Sequence, residues 1–121
     1  MRLLETVKLR KRLFKKKNKR LSEILNYIHT HYLTVTLDEL SGQFYLSKPY
    51  LSKYIKEQSG KTFSCHVREI RLQRAAAMLR HGSATVEKIS AAAGYQNVEH
   101  FNRQFKKTYK MTPLQYRNQN S

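Results

Sequence analysis

Residues 94–113 read GYQNVEHFNRQFKKTYKMTP, and this stretch decides the fold. At about 100° per residue, Val98, Phe101, Phe105 and Tyr109 fall on one helical face. Glu99, Arg103, Lys106, Lys107 and Lys110 fall on the opposite one. Gly94 suits a left-handed turn before this helix, Asn97 is its candidate N-cap, and Thr112–Pro113 is a cap followed by proline at a first helical position. Upstream, residues 47–63 read SKPYLSKYIKEQSGKTF. A shift of 50 positions aligns Leu51 with Phe101, Lys53 with Arg103, Ile55 with Phe105, Lys56 with Lys106 and Thr62 with Thr112. Before Ser47 the shift is 49, pairing Leu40 with Ile89 and Ser41 with Ser90, so one extra residue sits in the second turn and Tyr45 stands where the second copy has Gly94. Each copy is a short helix, a tight turn and a second amphipathic helix, the layout of a helix-turn-helix unit. Ser41 and Ser90 are small residues where the two helices of a unit would cross closely.

Working outward, Leu21, Leu25, Ile28 and Leu33, with Ile24 and Tyr27 or Tyr32 beside them, space an amphipathic helix from Leu21 to about Tyr32. Thr36 and Glu39 have capping-box spacing and open a second helix carrying Leu37, Leu40 and Phe44 inward. Ser47 opens a third to about Ser59, ended by Gly60. Thr62 starts a long fourth, with Phe63, Val67, Ile70, Ala75, Met78 and Leu79 facing in and Gly82 ending it. Thr85 caps a fifth; the sixth and seventh follow from Asn97 and Thr112. The expectation is an all-α protein of seven helices, forming two helix-turn-helix subdomains joined by a long linker helix. The boundaries predicted are a basic linker or arm over 1–20, a first subdomain over 21–60, a connecting helix over 61–82 and a second subdomain over 83–121.

The charge supports a polyanionic partner. The 121 residues carry 24 Lys and Arg against 8 Asp and Glu, a formal net charge of +16. Ten of those cations lie in residues 1–20 against Glu5 alone, so the remaining chain is still +7 without its arm. Nucleic acid is the first partner such a balance favours and an anionic membrane surface the second. The arm reads as a solvated helix left over from a linker, as an arm on DNA phosphates, or as a membrane-surface helix. No apolar run approaches the roughly 18 residues of a membrane span. The N-terminus lacks the apolar stretch of a signal peptide. The single cysteine, Cys65, suits a reducing cytoplasm.

Catalysis lacks its parts. Cys65 and His66 are adjacent and diverge on a helix, so they make no nucleophile–base pair, and Cys65 reads as a small packing residue. The five histidines have no metal-ligand spacing, and no glycine-rich phosphate loop appears. The expectation is no enzyme, no cofactor and no metal.

The pattern Gly94-Tyr95, Phe101, Arg103, Phe105-Lys106-Lys107, Thr112-Pro113 and Tyr116-Arg117 resembles the signature of the AraC/XylS family of bacterial transcription regulators. The first half matches too, through Leu40-Ser41, Ser47, Leu51, Lys56, Gly60, Phe63, Arg71-Leu72, Ala75 and Met78-Leu79. The resemblance runs from about Leu21 to Arg117. Lys110 departs from it, standing where the family usually ends the helix on glycine. Ile55 replaces an aromatic, and Pro49 takes the place of a polar reader. The resemblance implies regulation of transcription through sequence-specific binding of double-stranded DNA, with RNA polymerase as a further partner. It also implies a sensing or dimerisation domain outside this chain, the alternative being a complete single-domain regulator that binds as a monomer. Each unit would place a recognition helix in one major groove.

On that docking the base readers are the outward residues near the start of each recognition helix: Lys48, Tyr50, Ser52 and Lys53 in the first, and Glu99, His100, Asn102 and Arg103 in the second. Arg103 can give guanine two hydrogen bonds and Glu99 can accept from cytosine. Ser47, Lys56, Gln96, Asn97, Lys106 and Lys107 suit phosphate contacts that set register. The rival from another class is a cationic RNA-binding or ribosome-associated protein. That reading lacks exposed aromatic platforms on strands and leaves the duplication unexplained.

Overall fold

The computed structural model describes residues 19–120, and among these the chain is helical, with no strand. Helix α1 covers residues 19–30. It is followed by α2 (Leu37–Phe44), α3 (Lys48–Ser59), α4 (Phe63–His81), α5 (Val86–Ala92), α6 (Val98–Tyr109) and α7 (Pro113–Gln119). The caps read from the sequence are made. Thr36, Ser47, Thr85, Asn97 and Thr112 each accept a hydrogen bond from a backbone N–H three residues on, satisfying a donor that a helix start leaves open. At Thr112 the box closes fully, because the Gln115 side chain accepts from the Thr112 N–H in return. All but two of the arm's residues, 1–20, lie outside the described ones. Only Lys19 and Arg20 fall inside, already in α1.

The chain packs as two compact units, 19–31 with 35–63, and 32–34 with 64–120. In the first, Ile24, Ile28, Leu40, Leu51 and Ile55 are fully buried, tying α1, α2 and α3 together. In the second, Leu72, Ala75, Ala76 and Leu79 of α4 pack with Ile89, Ala93, Phe101 and Phe105. Tyr95, Tyr109 and Tyr116 rim that cluster. Two of its aromatic pairs pack edge-on, as their quadrupoles prefer: Tyr95 lies 5.3 Å from Phe101 and Tyr116 lies 5.4 Å from Phe105, centroid to centroid, while Tyr109 stacks on Phe105 at 4.5 Å.

Two expectations are corrected. Leu33 does not lie on the inner face of α1; it is 48% exposed, because the helix ends at residue 30 and a turn carries residues 31–34 off its axis. Helix α4 buries more than the face its periodicity marked. Leu72 and Ala76 are as buried as Ala75 and Leu79, whereas Ile70 and Met78 are half-buried. The helix is surrounded on more than one side, so no single apolar stripe describes it.

Cationic side chains hold the second unit together from within. Arg71 donates from Nε to the Tyr32 carbonyl at 3.3 Å and from Nη2 to that of Leu33 at 3.3 Å. Arg117 Nε donates to the Leu79 carbonyl at 3.2 Å near the end of α4. Arg80 donates to the Tyr116 hydroxyl and sits over its ring. Gly94 is favoured on two counts: its φ is +97°, and a Cβ there would press on Arg71 Nε at 3.1 Å. The paired serines differ. Ser41 donates to the Leu46 carbonyl, while the buried Ser90 hydroxyl has no partner among the described residues.

Helix α6 ends at Tyr109, with Lys110 as its C-cap. Lys110 takes the left-handed conformation, φ 62°, and its N–H bonds the Lys106 carbonyl. A side chain costs about 1–2 kcal/mol in that region, and glycine's extra freedom when unfolded gives back about 0.5–1. Lys110→Gly should therefore stabilise the protein by about 0.5–1 kcal/mol, seen as a melting temperature a few degrees higher. A lower melting temperature would mean that the lysine side chain makes contacts worth more than its strain.

Candidate nucleic-acid interface

Helix α3 is anchored by Leu51 and Ile55, both fully buried, which turns Lys48, Tyr50, Ser52, Lys53 and Lys56 outward, all exposed. Its start is locally determined. The Ser47 hydroxyl accepts from the Tyr50 N–H at 3.3 Å, and Pro49 sits in the first turn where no intrahelical N–H is needed. Its cations are engaged close to home. Lys48 Nζ lies 2.8 Å from Asp38, Lys53 Nζ 3.9 Å from Glu57, and Lys56 Nζ donates to the Gly60 carbonyl at 3.1 Å. These exposed pairs are worth little in water and can be exchanged for phosphate. The Tyr50 and Tyr54 rings stack with centroids 6.1 Å apart. Burial pushes the Tyr54 phenol above its ordinary pKa, against the pull of Arg20, so it remains neutral.

Helix α6 repeats the design with the same balance of three cations and one glutamate. Phe101 and Phe105 are fully buried, and Glu99, His100, Asn102, Arg103, Lys106 and Lys107 are all exposed. Asn97 Oδ1 accepts from the His100 N–H at 3.0 Å, and the Tyr95 ring lies 5.8 Å from that of His100. Burial raises the Tyr95 pKa, against the neighbouring Arg71 and Arg68. Among the described residues none hydrogen-bonds or ion-pairs with the side chains of Arg103, Lys106 or Lys107. Gln96, one residue before the cap, is exposed as well.

Each unit thus gathers its own set of the residues singled out in the sequence onto the exposed side of its second helix and the turn before it. Ser47 and Asn97 differ from the rest, because their side-chain oxygens are committed to capping; their remaining polar capacity faces solvent. What the sequence reading left out is Tyr45. It lies in the turn before α3 with φ 56° and is 93% exposed. Its only sequence signal was its alignment with Gly94. Among the described residues no three His, Cys, Asp or Glu could share a metal, and no helix is long and apolar enough to cross a membrane. Cys65 is half-buried between Arg68 and Glu69.

A family model described as a helix-turn-helix domain matches residues 40–119. The uncharacterized HTH-type transcriptional regulator YdeC of Bacillus subtilis is 31% identical over 106 residues, which is 87% of this chain but 36% of YdeC. Among solved structures, the C-terminal domain of AraT, a response regulator from Geobacillus stearothermophilus, superposes with a TM-score of 0.76. It is 29% identical, over 82% of this chain and 84% of that one. The DNA-binding domain of AdpA, solved in complex with a target DNA, shares the fold with a TM-score of 0.73, at 16% identity, over 81% of this chain and 89% of its own.

Proposed function

Since the chain belongs to the AraC-type helix-turn-helix family of transcription regulators, we propose that it binds double-stranded DNA sequence-specifically and regulates bacterial transcription. Helices α3 and α6 enter successive major grooves. The observation that carries this reading is the duplicated unit. Twice, a capped helix buries Leu51 and Ile55, or Phe101 and Phe105, and presents cations on its other side. Charge alone would suit any polyanion; a rigid cationic helix displayed twice suits the repeating major groove. AdpA's domain, alike in fold, holds its target DNA. The chain spans about a third of YdeC, which supports a sensing or dimerisation domain elsewhere in the full regulator, working with RNA polymerase in the cytoplasm.

Lys48, Tyr50, Ser52, Lys53, Glu99, His100, Asn102 and Arg103 read bases, and Ser47, Lys56, Gln96, Asn97, Lys106 and Lys107 hold phosphate. The second helix carries more of the specificity, because its cations have no internal partners to give up and Pro49 takes the place of a polar reader in the first. Selecting bound sites from random duplexes tests the reading. Enriched sites should contain two half-sites about 10–10.5 base pairs apart. Absence of enrichment, with hairpin RNA competing as well as duplex DNA, would favour the RNA-binding alternative.

Arg103 and Lys106 should part company within α6. Arg103 lies almost opposite Phe101, near the end that enters the groove, and its guanidinium can give guanine two hydrogen bonds. Arg103→Ala should cost about 1–3 kcal/mol on the best site and relax discrimination at one position. Lys106 lies a turn later, toward the groove wall. Lys106→Ala should weaken all duplexes about equally and reduce the salt slope by about one unit. Measuring both variants on the best site and on a single-base variant separates the roles. Equal loss on both sites for Arg103→Ala would move base reading to Glu99, His100 or Asn102.

A further inference from the structure

We propose that Tyr45 is a DNA-backbone contact of the first unit, its phenolic hydroxyl donating to a phosphate oxygen at the edge of the groove that α3 enters. The inference rests on the DNA-binding reading above and deepens it. Tyr45 is left-handed, φ 56° and ψ 43°, a conformation that strains any residue with a side chain. The second unit shows what this turn otherwise takes: the aligned residue is Gly94, φ 97°. The tyrosine ring gains nothing from folding in exchange, because it is 93% exposed and packs on no core.

The turn is also rigid. The Ser41 carbonyl accepts from the N–H groups of both Tyr45 and Leu46, and the Ser41 hydroxyl donates to the Leu46 carbonyl. The exposed ring is therefore held on a fixed backbone two residues before the Ser47 cap, on the approach to exposed Lys48 and Tyr50. A strained, exposed aromatic on a braced turn points to a function rather than to stability. Its place in the turn, outside α3 and two residues ahead of the Ser47 cap, selects phosphate as the partner. Hydroxyls on such turns set register on the duplex.

The test uses the 121-residue chain and its Tyr45→Gly and Tyr45→Phe variants, measured by thermal melting and by titration with the best selected duplex, a single-base variant of it, and two salt concentrations. Tyr45→Gly should melt a few degrees higher yet bind both duplexes about tenfold more weakly, the effect of losing one hydrogen bond to a charged group. The salt slope should stay unchanged, since no cation is removed. Tyr45→Phe should lose the same affinity. Wild-type affinity in Tyr45→Gly overturns the proposal, as does wild-type affinity in Tyr45→Phe, which would make the ring the contact. Loss confined to the best duplex would make Tyr45 a base reader, and a lower melting point for Tyr45→Gly would make it a folding residue; either overturns the phosphate contact. If the unaltered chain prefers no duplex at all, the DNA-binding reading itself fails, a result distinct from the others.

Discussion

Raising the salt from about 50 to about 200 mM should weaken duplex binding by about 10³- to 10⁵-fold. Lys56, Lys106 and Lys107 on phosphate, the other exposed cations of the two recognition helices and the rest of a chain of net charge +16 support six to ten neutralised phosphates. Each contact releases counterions, so the log–log slope should lie at about −5 to −9. The two helices should contribute unequally. Lys48, Lys53 and Lys56 must give up local partners to meet DNA, Lys56 for phosphate, whereas Arg103, Lys106 and Lys107 have none among the described residues to lose. Removing a lysine of α6 should therefore lower affinity at moderate salt more than removing one of α3. Titrating one duplex at four or five salt concentrations measures the slope directly. A slope near −1 would mean that these faces do not meet phosphate, and the two-groove docking would be wrong.

Phe101→Ala should unfold the second unit instead of tuning recognition. The ring is fully buried and lies against Tyr95 at 5.3 Å and Phe105 at 5.7 Å, within the cluster that joins α4, α5 and α6. Removing it leaves a cavity and costs about 3–5 kcal/mol, a large share of the roughly 5–15 kcal/mol that holds a domain folded. The melting temperature should fall by more than about 10 °C, since each kcal/mol is worth about 4–8 °C in a unit of this size. Leu51→Ala should do the same in the first unit at about 2–5 kcal/mol. Denaturation followed by circular dichroism reads both. Unchanged melting together with an altered site preference would mean that the inner and outer faces of α6 are reversed.

The sequence by itself determined the local order of this protein: the helices, their starts, and the two sides of α3 and α6. The reason is range. A cap joins a side chain to a backbone N–H three residues away, as at Thr85 and Asn97, and a helical face repeats within one or two turns, so both are written in neighbouring positions. The end of α1 is not, because no glycine or proline marks residue 30, and the apolar spacing runs on to Leu33, one turn too far. The surroundings of α4 are not either. Apolar residues lie around it, and only the packing of Leu72 and Ala76 with Ile89, Ala93, Phe101 and Phe105 shows how much of it is buried. The tertiary structure also decided which cations are available. A charge count cannot separate Arg103 from Arg71, Arg80 or Arg117, yet the last three donate to groups 36 to 39 positions away in the chain. Hydrogen bonds between such distant residues exist only once the helices have packed, and they divide the basic residues into those that hold the fold and those left facing solvent.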